Sequence, residues 1–162
     1  MSAVGGRTLL DSADVRILRL MQDDASLPIA EIARRAGMSQ TPCWRRIKRM
    51  KDEGVIRRIA AVVDRETVGL GFVSYVFVKL ALPSRENMET FDGMVNRWDE
   101  VVTCERITGA VDYLLKVVAA DIKGYDEFLR TKLLDNTLVS DVQSRIVVAT
   151  VKDITALPVA AG

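Results

Sequence analysis

Between Ser39 and Gly54 the chain reads Ser-Gln-Thr-Pro-Cys-Trp-Arg-Arg-Ile-Lys-Arg-Met-Lys-Asp-Glu-Gly. Five of these residues are cations (Arg45, Arg46, Lys48, Arg49, Lys51) and two are anions (Asp52, Glu53), more positive charge than solvation of one surface helix requires. Guanidinium and ammonium groups at that density hold phosphates or another polyanion. The spacing predicts a helix. Ser39 stands at the N-cap, its hydroxyl expected to accept an amide one turn in. Pro42 falls in the first turn, where a missing N–H costs nothing, and Gly54 lies just past the end. Cys43, Ile47 and Met50 share an apolar face. Thr41, Arg45, Lys48 and Arg49 project opposite, with Trp44 and Lys51 on the flank. Arg46 lies nearer the apolar face and is expected to pair with Asp14.

Such a helix needs a domain to pack on. Asp11, with Asp14 three residues later, has capping-box spacing for a first helix whose stripe is Val15, Ile17, Leu18 and Met21. Pro28 opens a second, Ile29 to Ala36, with Ile29, Ile32 and Ala33 expected inward and Gly37 at its end. Helix, three-residue turn with Gly, second helix is the helix-turn-helix spacing, and the basic helix is then the recognition helix. The β-branched run Val55 to Val63 reads as an extended wing or linker whose Arg57 and Arg58 reach phosphate.

Net charge conceals a division. Residues 1–63 hold 12 Lys/Arg against 7 Asp/Glu, and residues 64–162 hold 11 against 15, so the basic half suits nucleic acid and the acidic half does not. There is no histidine, which removes His-based catalysis and nearly all zinc sites. Cys43 and Cys104 form no ligand motif and suit a reducing cytosol. Both are expected to pack, Cys43 with a minor alternative as a thiol sensor activated by nearby arginines. No run reaches membrane-spanning length and no secretory leader is apparent, so a cytoplasmic protein without membrane contact is expected. No catalytic residue, metal site or cofactor is expected.

The remainder alternates strands and helices: a strand Phe72 to Leu82, a helix Arg85 to about Trp98, strands Val101 to Thr108 and Asp112 to Ala119, a helix Ile122 to Leu134, and a last strand Val142 to Lys152. This βαββαβ order is the ferredoxin-like arrangement, an antiparallel sheet with both helices on one face. The fold class is therefore α+β, a (winged) helix-turn-helix domain followed by a ferredoxin-like domain. The expected organisation is an arm at 1–8, a DNA-binding domain at 9–63, a hinge at 64–71, the ferredoxin-like domain at 72–152 and a tail at 153–162. Apolar side chains on the open sheet face have no cover in the chain, which predicts a homodimer through the sheets.

Taken together, the sequence resembles the leucine-responsive regulatory protein/asparagine regulator (Lrp/AsnC) family from about Leu10 to Pro158. The matching stretches are Leu10-Asp11-x-x-Asp14-x-x-Ile17-Leu18, Ser39-x-Thr41-Pro42-Cys43-x-x-Arg46-Ile47-x-x-Met50, Gly54-Val55-Ile56, Gly109-x-x-Asp112-Tyr113-Leu114-Leu115, and Val151-Lys152 followed by Leu157-Pro158. The Thr-Pro-Cys-Trp form of the helix looks closest to proteobacterial amino-acid-responsive members. The resemblance implies a transcription factor of amino-acid metabolism or transport. Its C-terminal domain would dimerise, often assemble as four dimers in a ring, and bind a free amino acid between dimers.

Thr41, Trp44, Arg45 and Lys48 are the base-edge candidates, Arg45 because a guanidinium fork matches guanine O6 and N7; packing of Trp44 on the domain edge is an equal alternative. Ser39, Gln40, Arg49, Lys51, Arg57 and Arg58 suit phosphates. By resemblance, backbone amides at Gly109, Ala110 and Val111 take the effector carboxylate and Asp112 answers its ammonium group. Ile107, Ile122 and Leu134 shape the pocket, and Gln143 and Ser144 come from a neighbouring subunit. Read without the family, Asp112 is an ordinary turn residue before a strand. Ala110 and Val111 replace the polar and aromatic residues common there, implying a smaller, more apolar rim. The dimer would present two recognition helices to an inverted repeat in double-stranded DNA. The rivals are a small enzyme, disfavoured by the lack of a nucleophile–base pair, and an amino-acid sensor acting on a partner enzyme.

Overall fold

The computed structural model describes residues 9–153 and 156–162; the arm expected at 1–8 lies outside them. The chain divides into two compact units. One runs to Ala61 and takes in Lys152–Gly162; the other is Val62–Val151.

In the first unit, α1 (Ser12–Asp23) starts on a reciprocal cap: Asp11 accepts the Ala13 and Asp14 amides at 2.8 Å, and Asp14 accepts the Asp11 amide at 3.2 Å. Helix α2 (Ile29–Ala36) ends where Gly37 turns left-handed at φ 72°, with the Met38 amide donating to Ala33 and the Gly37 amide to Arg34. Helix α3 (Gln40–Asp52) lays Cys43, Ile47 and Met50 against Ile17, Leu18, Ile32, Ala33 and Ala36. Each large aliphatic side chain buried there contributes about 1.5–3 kcal/mol. Two expectations fail. Ile29 is exposed, because it begins α2 a turn before the residues that join the core. Ser39 has N-cap backbone geometry but its hydroxyl makes no capping bond. The third helical position is Pro42, so one of the amides such a hydroxyl takes does not exist.

After α3, Val55 and Ile56 pack on the same core, but residues 57–64 form no ladder, so the expected strand is absent. A strand needs a partner, and Ile59, Val62 and Val63 stand exposed without one.

The second unit comprises β1 (Phe72–Leu80), α4 (Arg85–Val95), β2 (Val101–Arg106), β3 (Tyr113–Ala119), α5 (Ile122–Phe128) continued by a wider π turn over Leu129–Leu134, and β4 (Val139–Ile146). The sheet order is β2-β3-β1-β4, with every pair antiparallel. Val76, Val78 and Leu80 of β1 and Tyr113, Leu115 and Val117 of β3 face both helices. Phe91, Trp98 and Phe128 meet edge-on at 5.8 Å between that face and the helices. Ser74, buried on the same face, donates to the Tyr125 hydroxyl at 3.2 Å. β4 starts three residues earlier than expected, Val139 pairing with Leu80 across a bulge, and stops at Ile146 because its partner β1 runs out near Phe72. The open face is less apolar than expected: Val73, Tyr75, Phe77, Leu114 and Val118 run down the two central strands but are interrupted by Lys116 opposite Tyr75, between edge-strand rows that include Thr103, Glu105, Gln143 and Arg145.

Candidate DNA-binding surface and ligand site

The recognition helix sorts its cations into two sets. Arg46 Nη1 donates to Asp11 at 2.6 Å and to Asp14 at 2.8 Å, and Arg49 Nη2 donates to Asp14 at 2.6 Å. The pairing of Arg46 with Asp14 is as expected; that of Arg49 is not, and it ties Arg49 to α1 rather than leaving it free for phosphate. One turn separates position 46 from 49, so a single carboxylate on α1 reaches both. Among the described residues, Arg45, Lys48 and Lys51 form no ion pair, and all three are exposed. Ser39, Gln40, Thr41, Arg57 and Arg58 are exposed as well. Trp44 is 49% exposed, with Lys48 Nζ 5.5 Å from its ring centroid, so about half of the ring is open to solvent beside a cation.

Asp14 is only 1% exposed. Its burial works to raise the pKa, but bonds from Arg49 and Arg46 and the Asp11 amide outweigh that, leaving the carboxyl below its ordinary value. Asp11 is held down to about 2, first by the Asp14 amide and then by Arg46. Both aspartates are therefore ionised at neutral pH and fix the rotation of α3 against α1. A second clamp went unanticipated: Glu31 of α2 pairs with Arg34 and Arg35, each at 2.6 Å, and is held down to about 2 by those two bonds. Its i, i+3 and i, i+4 spacing was the available signal.

In the second unit Ile107 to Asp112 links β2 to β3. Gly109 has φ 123°, a conformation that L side chains rarely adopt. The Ile107 amide donates to the Asp112 carbonyl and the Asp112 amide to Val78, both at 2.9 Å. One Asp112 carboxylate oxygen accepts the Leu80 amide at 2.8 Å. Asp112 thus has a structural task, pinning the turn to the end of β1, and is more than the simple turn residue it resembles. The other expected pocket residues are not brought together within one chain. Ile122 follows β3, at the opposite end of the sheet from the turn. Gln143 and Ser144 lie in mid-strand opposite Phe77 and Val76, not at the start of β4, and alternation sends them to opposite faces. Ser144 is bonded to the Tyr125 hydroxyl on the helix side. Leu134 is exposed at the end of the π turn.

Cys43 is fully buried and desolvation raises its thiol pKa, against the arginine-activated sensor alternative. Cys104 is exposed on edge strand β2 rather than packed, yet its thiol is pushed up to about 11 by desolvation and by Asp92. No described helix is long and apolar enough to cross a membrane.

A trihelical unit with free cations on its third helix, followed by a four-stranded ferredoxin-like unit, defines a helix-turn-helix DNA-binding protein with a sensor domain. The comparisons agree. The family model described as winged helix-turn-helix DNA-binding matches residues 10–57, and that described as Lrp/AsnC ligand binding domain matches 73–157. The DNA-binding transcriptional activator DecR of Escherichia coli K12 is 35% identical over 93% of this chain and 99% of its own length. The glutamate uptake regulatory protein of Zymomonas mobilis is 35% identical over 92% of this chain and 90% of its own. Among solved structures, a Neisseria meningitidis transcriptional regulator in complex with L-Met superposes with a TM-score of 0.88 at 34% identity, covering 92% of this chain and 96% of that one. An AsnC family regulator from Agrobacterium tumefaciens gives 0.87 at 39%, covering 92% and 97%. The chain belongs to the Lrp/AsnC family and is a DNA-binding transcriptional regulator with a ligand-binding domain.

Proposed function

We propose that the protein is a cytoplasmic regulator of amino-acid metabolism or transport whose DNA binding responds to a free amino acid. The observation that carries the DNA half is the unpaired set Arg45, Lys48 and Lys51 on the exposed face of a helix held by Asp14. Thr41, Trp44, Arg45 and Lys48 read base edges; Ser39, Gln40, Lys51, Arg57 and Arg58 bind phosphate. The operator is an inverted repeat with half-sites about one helical turn, roughly 10 bp, apart.

The effector sits at the Gly109–Asp112 turn. The second Asp112 carboxylate oxygen meets its ammonium group, and a neighbouring copy completes the pocket, which explains the scatter of the other residues in one chain. Methionine bound to the Neisseria relative supports a free amino acid as the ligand class. The rim of Ile107, Ala110 and Val111 favours a small or apolar one such as leucine, cysteine or methionine. Tyr75, exposed on the open sheet face with Phe77 and Leu114 half-buried beside it, and the exposed, unpaired Ile59–Val63 stretch support a dimer, and a ring of four dimers is the proposed assembly. The effector acts by its differential affinity for two arrangements of that assembly.

A thermal-shift screen over the twenty amino acids tests this, because a ligand of the native state alone raises the melting temperature. Binding to a duplex from the chain's own upstream region is then measured with and without the hit. Salt-independent binding, or none, would turn the assignment toward a sensor acting on a protein partner.

A further inference from the structure

The chain passes between its two units twice, near Ala61 and near Val151. The second passage is not a loose end. Residues 156–162 run along α1, their main chain bonded to side chains of that helix and to the residue before its cap. The Gln22 side chain accepts from the Leu157 amide at 2.6 Å and donates to the Leu157 carbonyl at 3.1 Å, so that its carboxamide stands in for a neighbouring strand. Arg19 Nη2 donates to the Val159 carbonyl at 3.1 Å, and the Gly162 amide donates to the Leu10 carbonyl at 3.1 Å. Pro158 has no N–H, so the residues on either side of it carry the bonds. Val159 packs against the helix-turn-helix core. A groove of about 500 Å³ there is lined by Leu10, Gly54, Val55, Pro158 and Val159. Gly54 and Val55 form the turn that ends the recognition helix, where the Ile56 amide bonds the Met50 carbonyl at 2.9 Å.

We propose that the surface formed by α1 and the Gly54–Val55 turn is a docking site for this chain's own segment 156–162. Its occupancy steadies the far end of the recognition helix and gives the ligand-binding domain a second covalent route to it. The 57–71 connection is the first route and enters from α3 itself. The strap enters through α1, the helix that holds Arg46 and Arg49, so tension on it bears on the rotation of the recognition helix. The inference uses the DNA-binding assignment only for its last readout.

The experiment is hydrogen exchange on the full chain, on Gln22→Ala, and on a chain ending at Asp153. The expected result is exchange several-fold faster at Asp24, Gly54 and Ile56 in both variants, with the β1–β3 amides unchanged. A synthetic peptide of residues 152–162 added to the shortened chain restores the slow rates, and does so less well once Gln22→Ala is present. Affinity for the upstream duplex falls about 3–10-fold in step with the exchange. Unchanged exchange at 54–56 in Gln22→Ala overturns the proposal even where the shortened chain fails to fold. A loss of DNA affinity without faster exchange there also overturns it, while leaving the recognition-helix assignment standing.

Discussion

The surface of α3 and the turn before β3 make an instructive contrast. On α3 everything needed to face a duplex lies on one helix of one chain: exposed Arg45, Lys48 and Lys51, and a carboxylate on the adjoining α1 that sets the angle. At the Gly109–Asp112 turn a single chain supplies a pinned backbone and a carboxylate with one oxygen bonded to Leu80, while Ile122 lies at the other end of the sheet and Ser144 on its helix face. A surface for a long, regular polyanion is built on one element. A pocket for a small molecule must enclose it, and the proposed pocket at this turn draws on residues that one chain does not bring together.

Four measurements break or sharpen that contrast. The largest effect is expected from Asp14→Ala, which strips Arg46 and Arg49 of a buried partner. Those arginines are 32% and 41% exposed and recover some hydration, so the loss is set at about 2–3 kcal/mol, below that of a fully buried pair. Urea unfolding of the helix-turn-helix unit reads it; a loss under 1 kcal/mol would show that the clamp does not position α3.

Next, Arg45→Ala with Lys48→Ala should weaken binding to the upstream duplex by about 10–100-fold and flatten the salt dependence by roughly two charges, leaving folding unchanged. Equal affinity in wild type and variant would remove α3 from the interface.

The acid response comes third. Asp11 and Asp14 both titrate below the unfolded value of 3.8. Their contribution is therefore fully present above pH ~4 and is lost below it, that of Asp11 as pH falls toward about 2 and that of Asp14 as pH falls through its lowered folded value. Melting temperature against pH should drop across that window in wild type and less steeply in Asp14→Asn. Parallel curves would contradict the assignment.

The smallest change in stability is expected at Asp112. Asp112→Asn retains an oxygen for the Leu80 amide and should leave stability nearly unchanged while abolishing the amino-acid thermal shift. Asp112→Ala should abolish the shift and also cost about 1 kcal/mol. An intact response in Asp112→Asn would relocate the ammonium partner.

Legibility followed the same contrast. The three helices and the buried Cys43–Ile47–Met50 face are periodic or local, and the sequence displays them directly, while the pairing of Arg46 with Asp14 followed from the place of Arg46 near that apolar face. The βαββαβ order was equally plain, because each strand has its own β-branched run between turn residues. Strand ends were not: β4 stops where β1 has no more backbone to offer, a property of the partner and not of residues 147–152. The second bond of Asp14, to Arg49, and the return of the chain to α1 depend on contacts between distant segments, which spacing does not encode. The pocket residues were assembled from a family pattern, and neither periodicity nor spacing in one chain brings them together.

Pro42 has an outcome that reaches beyond helix initiation. By deleting the third amide of α3 it removes one of the two inward donors open to the Ser39 hydroxyl, which makes no capping bond and lies exposed at the leading tip. In the proposed interface such a hydroxyl can donate to a nonbridging oxygen of a nucleotide strand without first breaking an internal bond.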